Sequence, residues 1–322
     1  TYQRFNYQPG KSQMVLLTGT LGNSGGGAGI TRSMGMYDDD NGVFMQDDEG
    51  TVKAIIRSST SGSAVDTKVA QTDWNLDTFD GNGKSGITLD PTKSQIIIID
   101  FEWLGVGRVR IGFVIDGIPY YVHEFLHANV LAGVYMSTPN LPLRYEIEND
   151  GTGSASELEH ICSTVISEGG QEKLGILRHK DSGSISGLAT GVTYALIGIR
   201  LQALKTGGVV DLIDISLLAS STNDKAHWEL RFNPTVAGTF TYSNESNSIV
   251  QIATGAVANT VTGGTDIAGG YFSTSQAAIS AIQNALRLGV DLAGTLDEFV
   301  LCVTPITNNI TVEASQTWRE LS

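Results

Sequence analysis

Cysteine, charged residues and long apolar runs are all scarce in this chain of 322 residues. Only Cys162 and Cys302 occur, too far apart in sequence to indicate a disulfide framework or a cysteine metal cluster. Charged residues amount to 17%, which is low for a globular protein, and no run reaches the roughly 18 apolar residues of a membrane-spanning helix. These shortages argue against a disulfide-stapled scaffold, a cysteine-ligated metal domain and a helical membrane protein.

Basic residues are scarcer than acidic residues. The chain has 20 Lys and Arg against 34 Asp and Glu, which gives a formal net charge of −14. A nucleic-acid-binding face needs clustered Lys and Arg to neutralise phosphates, and the sequence shows no such cluster. Anionic membranes require the same kind of surface. We therefore expect neither nucleic acid nor a membrane as a partner, and an acidic surface that serves solubility.

Glycine, serine, threonine and β-branched residues are abundant instead. The chain has 38 Gly, and residues 87–147 read as one strand after another, with an Asp116-Gly117 hairpin signal between two of them. Comparable strand and turn patterns continue after residue 170, and only residues 275–288 have a helical composition. The sequence predicts an all-β fold with a domain boundary between residues 168 and 169.

The pentapeptide His123-Glu124-Phe125-Leu126-His127 matches H-E-x-x-H, the zinc-peptidase motif. The motif holds zinc only on a helix, where residues four apart share one face. On a strand, which rises about 3.3 Å per residue, the two histidine Cβ atoms would lie roughly 13 Å apart. One zinc ion, with Zn–N bonds of about 2.0–2.1 Å, cannot bridge that distance. Helix or strand at His123 therefore separates an enzyme from a non-catalytic protein.

Local signals favour the strand. Aromatic and β-branched residues precede the second half of the motif, and no Ser, Thr, Asp or Asn stands ahead of it as an N-cap. We predict that His123 and His127 share a face with Tyr121 and Phe125, that Glu124 points to the other face, and that no metal is bound. The alternative is a zinc peptidase on a helix, with a third ligand from a distant glutamate: Glu146, Glu157 or Glu168.

Three shorter patterns match functional loops only in part. Gly10-Lys11-Ser12 lacks the glycine and the preceding strand of a phosphate loop, and Gly22-Asn23-Ser24-Gly25-Gly26 lacks the helix of a nucleophile elbow. Asp38, Asp40 and Glu49 have calcium-loop spacing, but the glycine falls at Gly42, one position early. We interpret all three as turns or loops. Trp74, Trp103 and Trp228 would favour sugar binding if they were exposed, but core packing is the commoner role of tryptophan in a β protein.

A longer block carries a more specific likeness. It resembles a block found in structural proteins of double-stranded DNA viruses, chiefly tailed phages, where the histidine stretch sits in a strand. The likeness covers most of the chain and rests on these segments: Arg57-Ser58-Ser59, Trp74-Asn75, Asp80-Gly81, SGITLD at 85–90, WLGVG at 103–107, HEFLHAN at 123–129, LPLRYEI at 141–147, Trp228-Glu229-Leu230, Asn233-Pro234-Thr235 and Thr317-Trp318-Arg319-Glu320.

The resemblance implies a non-enzymatic virion protein, a capsid decoration or cement protein or a fibre component, and it brings no catalytic residues and no cofactor. Its fold would be an antiparallel β-sandwich of jelly-roll or lectin-like type over residues 1–168, with a second β-rich region over residues 169–322. The expected partners are further copies of the chain, as a trimer on a symmetric site, and the major capsid protein or other virion proteins. A carbohydrate-binding module that recognises a host-surface glycan is the alternative.

Overall fold

The structure is a computed structural model that describes residues 1, 4–22, 27–170, 175–220, 223–274, 278–281, 287–291 and 294–321. Strands make up 56% of the chain, and the one helical element in these ranges is a 3₁₀ turn at Gln71–Asp73. No helix in the same ranges is long and apolar enough to cross a bilayer. The all-β prediction is confirmed. The chain divides into two compact units, Gln3–Glu172 with Thr1, and Lys173–Ser322.

The first unit consists of two antiparallel sheets. Its strands are β1 (Arg4–Phe5), β2 (Gln13–Thr20), β3 (Ile30–Tyr37), β4 (Gly42–Asp48), β5 (Thr51–Ser58), β6 (Val65–Ala70), β7 (Gln95–Phe101), β8 (Val109–Ile115), β9 (Ile118–Phe125), β10 (Leu141–Asn149) and β11 (Glu159–Ser167). One sheet has the order β1-β10-β3-β4-β5-β6 and the other β11-β2-β7-β8-β9.

The two sheets of the first unit face each other across one apolar core. Alternate residues of each strand point inward, for example Met34 and Met45 from one sheet and Leu17, Ile97 and Phe113 from the other. All five side chains are fully buried. Burial of one such side chain stabilises the fold by about 1.5–3 kcal/mol, so the period-2 pattern of the strands dictates this packing. The first unit is therefore an antiparallel β-sandwich.

The second unit repeats this plan. Its strands are β12 (Ile176–Leu188), β13 (Tyr194–Leu201), β14 (Val209–Ala219), β15 (Lys225–Phe232), β16 (Thr235–Val236), β17 (Ser243–Asn244), β18 (Val250–Thr254), β19 (Val261–Thr262), β20 (Thr265–Ser273), β21 (Ala278–Ala281), β22 (Glu298–Pro305) and β23 (Ile310–Leu321). Sheets ordered β12-β23-β14-β21 and β17-β18-β13-β22-β15-β20 enclose a second core, and β16 pairs with β19.

The predicted Asp116-Gly117 hairpin is present between β8 and β9. Both turn residues have positive φ, 51° at Asp116 and 81° at Gly117. Two central residues with positive φ are the mark of a type I′ turn, whose twist matches that of the strands it joins. The turn sets the pairing of Ile115 with Ile118 and so fixes the register of β9, which carries His123.

Tyrosine rings seal the outer faces of the sheets where a strand has glycine. Tyr121 pairs with Gly112 of β8, and its hydroxyl donates to Asp100 Oδ2 on β7 at 3.3 Å, so its ring crosses β8 where Gly112 has no side chain. The Arg110 guanidinium lies 4.1 Å from the ring centre and also pairs with Asp100. Burial and the Asp100 charge raise the pKa of Tyr121, so its hydroxyl stays a hydrogen-bond donor.

The same arrangement recurs on two other sheets. Tyr37 stacks on Phe44 at 4.2 Å, and the guanidinium of Arg57 lies over Phe44 at 5.2 Å. In the second unit Tyr242 lies against Gly198, where a Cβ atom would collide with its hydroxyl, and the guanidinium of Arg200 lies 4.1 Å from its ring centre. These rings pack on outer faces yet are largely withdrawn from solvent.

The predicted helix over residues 275–288 is wrong where the structure describes it. Ala278–Ala281 form strand β21, which pairs with β14, while residues 275–277 and 282–286 lie outside the described ranges. Pairing with β14 overrides the local helical composition, because sheet hydrogen bonds depend on the partner strand and not on local sequence. Three further long strands were not predicted from the sequence: β12, β20 and β23.

Gln316 is the exception to the apolar inward face of β23. It lies in the inward-pointing series that includes Val312, Ala314 and Trp318, and it is fully buried. Neither its Oε1 nor its Nε2 has a hydrogen-bond partner among the described residues. An unsatisfied buried polar group costs about 1–3 kcal/mol.

We therefore expect Gln316→Met, which keeps the side-chain volume and removes the polar atoms, to raise the free energy of unfolding by about 1–3 kcal/mol. Urea unfolding of the wild type and the variant measures it. The matched control is Gln202→Met in the same unit, because the Gln202 amide donates to the carbonyls of Ser248 and Val250 and its loss should not stabilise. A lower midpoint for Gln316→Met would contradict the interpretation.

Candidate functional site

The first three residues of the zinc-peptidase pentapeptide lie on a strand, as predicted, and the last two lie beyond its end. His123, Glu124 and Phe125 are the last residues of β9, and His127 follows in the loop. The His123 ring is buried, its Nδ1 accepts the backbone N–H of Asn75 at 3.2 Å, and it contacts the Phe125 ring edge-on at 4.5 Å. Burial lowers the pKa of His123, which keeps the ring neutral in its apolar surroundings.

The predicted assignment of the motif to strand faces is partly wrong. A bulge at Val122 shifts the register, so that His123 pairs with Ile111 while Tyr121 pairs with Gly112. Tyr121 consequently lies on the outer face, beside Glu124, and His123 lies with Phe125 on the other. A bulge adds one residue to a strand and reverses its alternation from that point. No group of three or more His, Cys, Asp or Glu side chains able to hold a metal occurs in the described part of the chain.

His127 instead fixes two loops to each other. Its ring stacks on Tyr135 with the centroids 4.2 Å apart and an interplanar angle of 9°, and its Nδ1 lies 2.7 Å from the carbonyl oxygen of Gly107. The Tyr135 N–H donates to the carbonyl of Gly105, and the Trp103 indole donates to that of Met136. The β7–β8 loop and the β9–β10 loop therefore form one pinned structure.

These loops present exposed aliphatic side chains, which we call the loop patch: Leu104, Leu126, Val130, Leu131 and Val134. Their exposed fractions run from 41% at Val134 to 71% at Val130. The Cβ position at Gly105 lies 3.2 Å from Val134 Cγ1, which brings the two loops into contact at the patch. Five exposed aliphatic side chains on two adjoining loops make a surface of the kind that commonly contacts another molecule.

The backbone under the loop patch is strained. Leu104 has a φ of 34° and Gly105 a φ of 78°. A branched residue in this region costs on the order of 1 kcal/mol, because its Cβ approaches the carbonyl oxygen. Gly107 completes the tight loop, since a Cβ there would collide with the Glu102 carbonyl. Leu104 is thus 55% exposed although both its strained backbone and the hydration of its aliphatic side chain are unfavourable.

The carboxylates of the suspected calcium loop do not converge. Asp38 pairs with Arg4 at 2.7 Å, and Glu49 accepts the Gly29 N–H at 2.9 Å. They stand at opposite ends of the seven-residue strand β4, roughly 23 Å long. In the Gly-Lys-Ser segment, Lys11 Nζ donates to the carbonyls of Gly169 and Gly170, which is a structural role. Residues 23–26 of the suspected nucleophile elbow lie outside the described ranges.

The tryptophans proposed for sugar stacking are not exposed. Trp74 and Trp228 are each 4% exposed, and Trp103 is partly buried, with its indole hydrogen-bonded to the Met136 carbonyl. Among the described residues the exposed aromatic ring is that of Tyr271, 74% exposed on β20, which was not among the candidates from the sequence. Its neighbours Gly269 and Gly270 give no signal of this exposure, because a Cβ atom at either position would crowd Trp228.

Comparisons with known proteins identify no family. No family model matches this chain, and no curated protein matches it. Among solved structures, domains LG4-5 of the mouse laminin alpha1 chain align over 94% of this chain and 83% of that one, at 11% identity and a TM-score of 0.24.

We expect the purified protein to contain no stoichiometric zinc at the pentapeptide, because His123 and His127 already contact Asn75, Phe125, Gly107 and Tyr135 and do not share a helical face. Plasma emission spectrometry of protein purified without chelator measures it, with His160→Gln as a control outside the motif. One equivalent of zinc that disappears in His123→Gln would overturn the strand-based interpretation.

Proposed function

We propose that this chain is a non-enzymatic structural protein of a virus particle, which attaches to another particle protein through the loop patch. Three features support the proposal. The sequence resembles structural proteins of double-stranded DNA viruses, both units are β-sandwiches, and the first unit exposes aliphatic side chains on two loops that are held to each other. Attachment to a major capsid protein or a neighbouring virion protein gives such a surface an apolar partner.

The strained Leu104 is the observation that carries this proposal. A loop that serves only to connect β7 and β8 would gain stability from a relaxed backbone and a polar side chain at this position. The chain has instead a leucine at φ 34° beside four more exposed aliphatic side chains, held by the His127–Tyr135 stack. Strain that persists in a well-anchored loop is typical of a surface that binds.

The loop patch does not need a partner surface that carries basic residues. Its side chains are uncharged, so association there depends on apolar burial and is insensitive to salt. This distinguishes it from a contact made by the acidic remainder of the surface, which salt would weaken. We also expect the chain to associate with further copies of itself. The symmetry of virion sites alone suggested three copies, whereas the sheet edges favour two.

We expect Val130→Asp to reduce occupancy of the chain on its virus particle at least tenfold, because a buried unpaired carboxylate is costly in an apolar contact. Electron microscopy of particles assembled with wild-type or variant chain measures occupancy. Leu204→Asp is the matched control, an exposed aliphatic residue (94%) in the other unit, and should leave occupancy unchanged. Absence of the wild-type chain from the particle would refute the proposed function, and full occupancy by Val130→Asp would refute the role of the loop patch.

A glycan-binding role is the second candidate, and Tyr271 is the observation that favours it. The Tyr271 ring pairs across strands with His227, with the centroids 4.9 Å apart, and the same face carries Lys225 and Thr304. An exposed aromatic ring supplies the apolar surface on which a sugar ring stacks, and the polar neighbours supply hydrogen bonds to its hydroxyl groups.

We expect Tyr271→Ala to abolish any glycan binding that the wild type shows on a glycan array, while Tyr271→Trp, which keeps an aromatic face, retains it. Circular dichroism checks that both variants fold. Binding that survives Tyr271→Ala, or no binding by the wild type to any glycan, would remove this candidate.

A further inference from the structure

The β11 edge of the first unit has no partner strand among those described. β11 (Glu159–Ser167) pairs with β2 alone and lies at the end of its sheet. Every residue of β11 is exposed or half-buried, with Ile166 at 43% and Ile161 at 56%. An edge strand presents unpaired N–H and C=O groups, which form a template for another strand.

The other long edge strands carry features that block strand addition. β6 has Lys68, β9 has Pro119, and β12 has Arg178 and Lys180 together with two register shifts. Charged side chains, prolines and bulges are the usual means by which a sheet edge avoids pairing. β20, the remaining long edge, is interrupted by Gly269 and Gly270 and by a shift of register.

The second half of β11 lacks all of these features. Its one register shift lies between His160 and Cys162, and the residues from Cys162 to Ser167 read CSTVIS, with no charge and no proline. The Cys162 carbonyl accepts the Tyr145 hydroxyl at 3.1 Å, and the Ser167 carbonyl accepts the Gly170 N–H at 3.2 Å, so the open part of the edge is residues 163–166. Short uncharged segments of high β-propensity are those that pair most readily.

We propose that this edge pairs with the same edge of a second copy of the chain, as two antiparallel β11 strands related by a two-fold axis near Val165. That register places Ser163 opposite Ser167 and Thr164 opposite Ile166, so no like charges meet. The chain carries a net charge of −14, and two copies repel each other over most of their surface. Two acidic copies repel each other least where they approach through an uncharged edge.

The neighbouring sheet surface extends this contact. Thr164 and Ile166 pair with Leu16 and Met14 of β2, both half-buried, and Ile96 of β7 is 37% exposed on the same face. β2 and β7 are thus apolar on both faces, a pattern typical of strands covered on both sides. A second copy added at β11 would shield the edge of this strip as well as the backbone groups.

The small area of the contact limits its strength, and its two-fold symmetry sets its stoichiometry. Pairing of about four residues from each chain buries less than the roughly 1,200 Å² of a standard stable interface, so we expect a dissociation constant in the micromolar range. A two-fold contact uses the same surface twice and closes at two chains. Two chains, and not three, is therefore the expected assembly in solution.

Light scattering between about 1 and 100 µM tests the proposal. We expect a concentration-dependent rise from 34.2 kDa toward twice that mass. Cys162 is a native reporter, because it is exposed beside the edge while Cys302 is buried. Its reaction with a thiol reagent should slow several-fold as the concentration rises. Ile166→Lys, which adds the charge that other edges carry, should keep the chain monomeric and Cys162 reactive throughout.

Ile176→Lys is the matched control, an isoleucine at 62% exposure on the charged edge strand β12, and should dimerise as the wild type does. Thr164→Lys is a second variant on β11 in case Ile166→Lys folds poorly by circular dichroism. A wild type that stays monomeric at 100 µM, a trimer, or dimers that persist in both β11 variants would each overturn the proposal. None of these outcomes bears on occupancy at the loop patch, so the two proposals fail separately.

Discussion

The structure depends on the burial of one face of each sheet against its partner in a two-sheet sandwich. Both cores are built from alternate residues of facing strands, and this apolar burial is the main favourable term in the stability of either unit. It leaves each sheet with a second face and with edges, and the period of two dictates which side chains lie there. The parts of this molecule differ in which side chains cover those outer faces and edges.

Three means of closure are visible. Tyrosine rings lie across glycines with an arginine on the ring, as at Tyr121 and Tyr242. In the second unit a small outer core of Val261, Val300 and Cys302 covers part of a sheet. The Arg32–Asp47 pair, 2.9 Å apart and buried, replaces apolar packing with charge. Burial raises the pKa of Asp47, so its contact with Arg32 offsets only part of the cost of desolvation. The loop patch and the second half of β11 are closed by none of these.

The pentapeptide shows how a fold reassigns a motif. His123 and His127 have the residue types of zinc ligands, but the strand separates them and the bulge at Val122 turns Tyr121 away. His127 then acts through its ring as an anchor between two loops, with Tyr135 on its face and Gly107 at its Nδ1. The chemical identity of a side chain sets what it can do, and its neighbours decide which of those roles it takes.

The sequence alone determined the fold class, the hairpin at Asp116-Gly117 and the strand at His123, because each follows from local periodicity or from a two-residue turn. It did not reveal that Tyr271 is exposed, that a bulge at Val122 puts Tyr121 and His123 on opposite faces, or that residues 278–281 form a strand. These depend on which strands pair and in which register. A single bulge or a distant partner strand changes the face of every residue beyond it, and tertiary structure alone decides that.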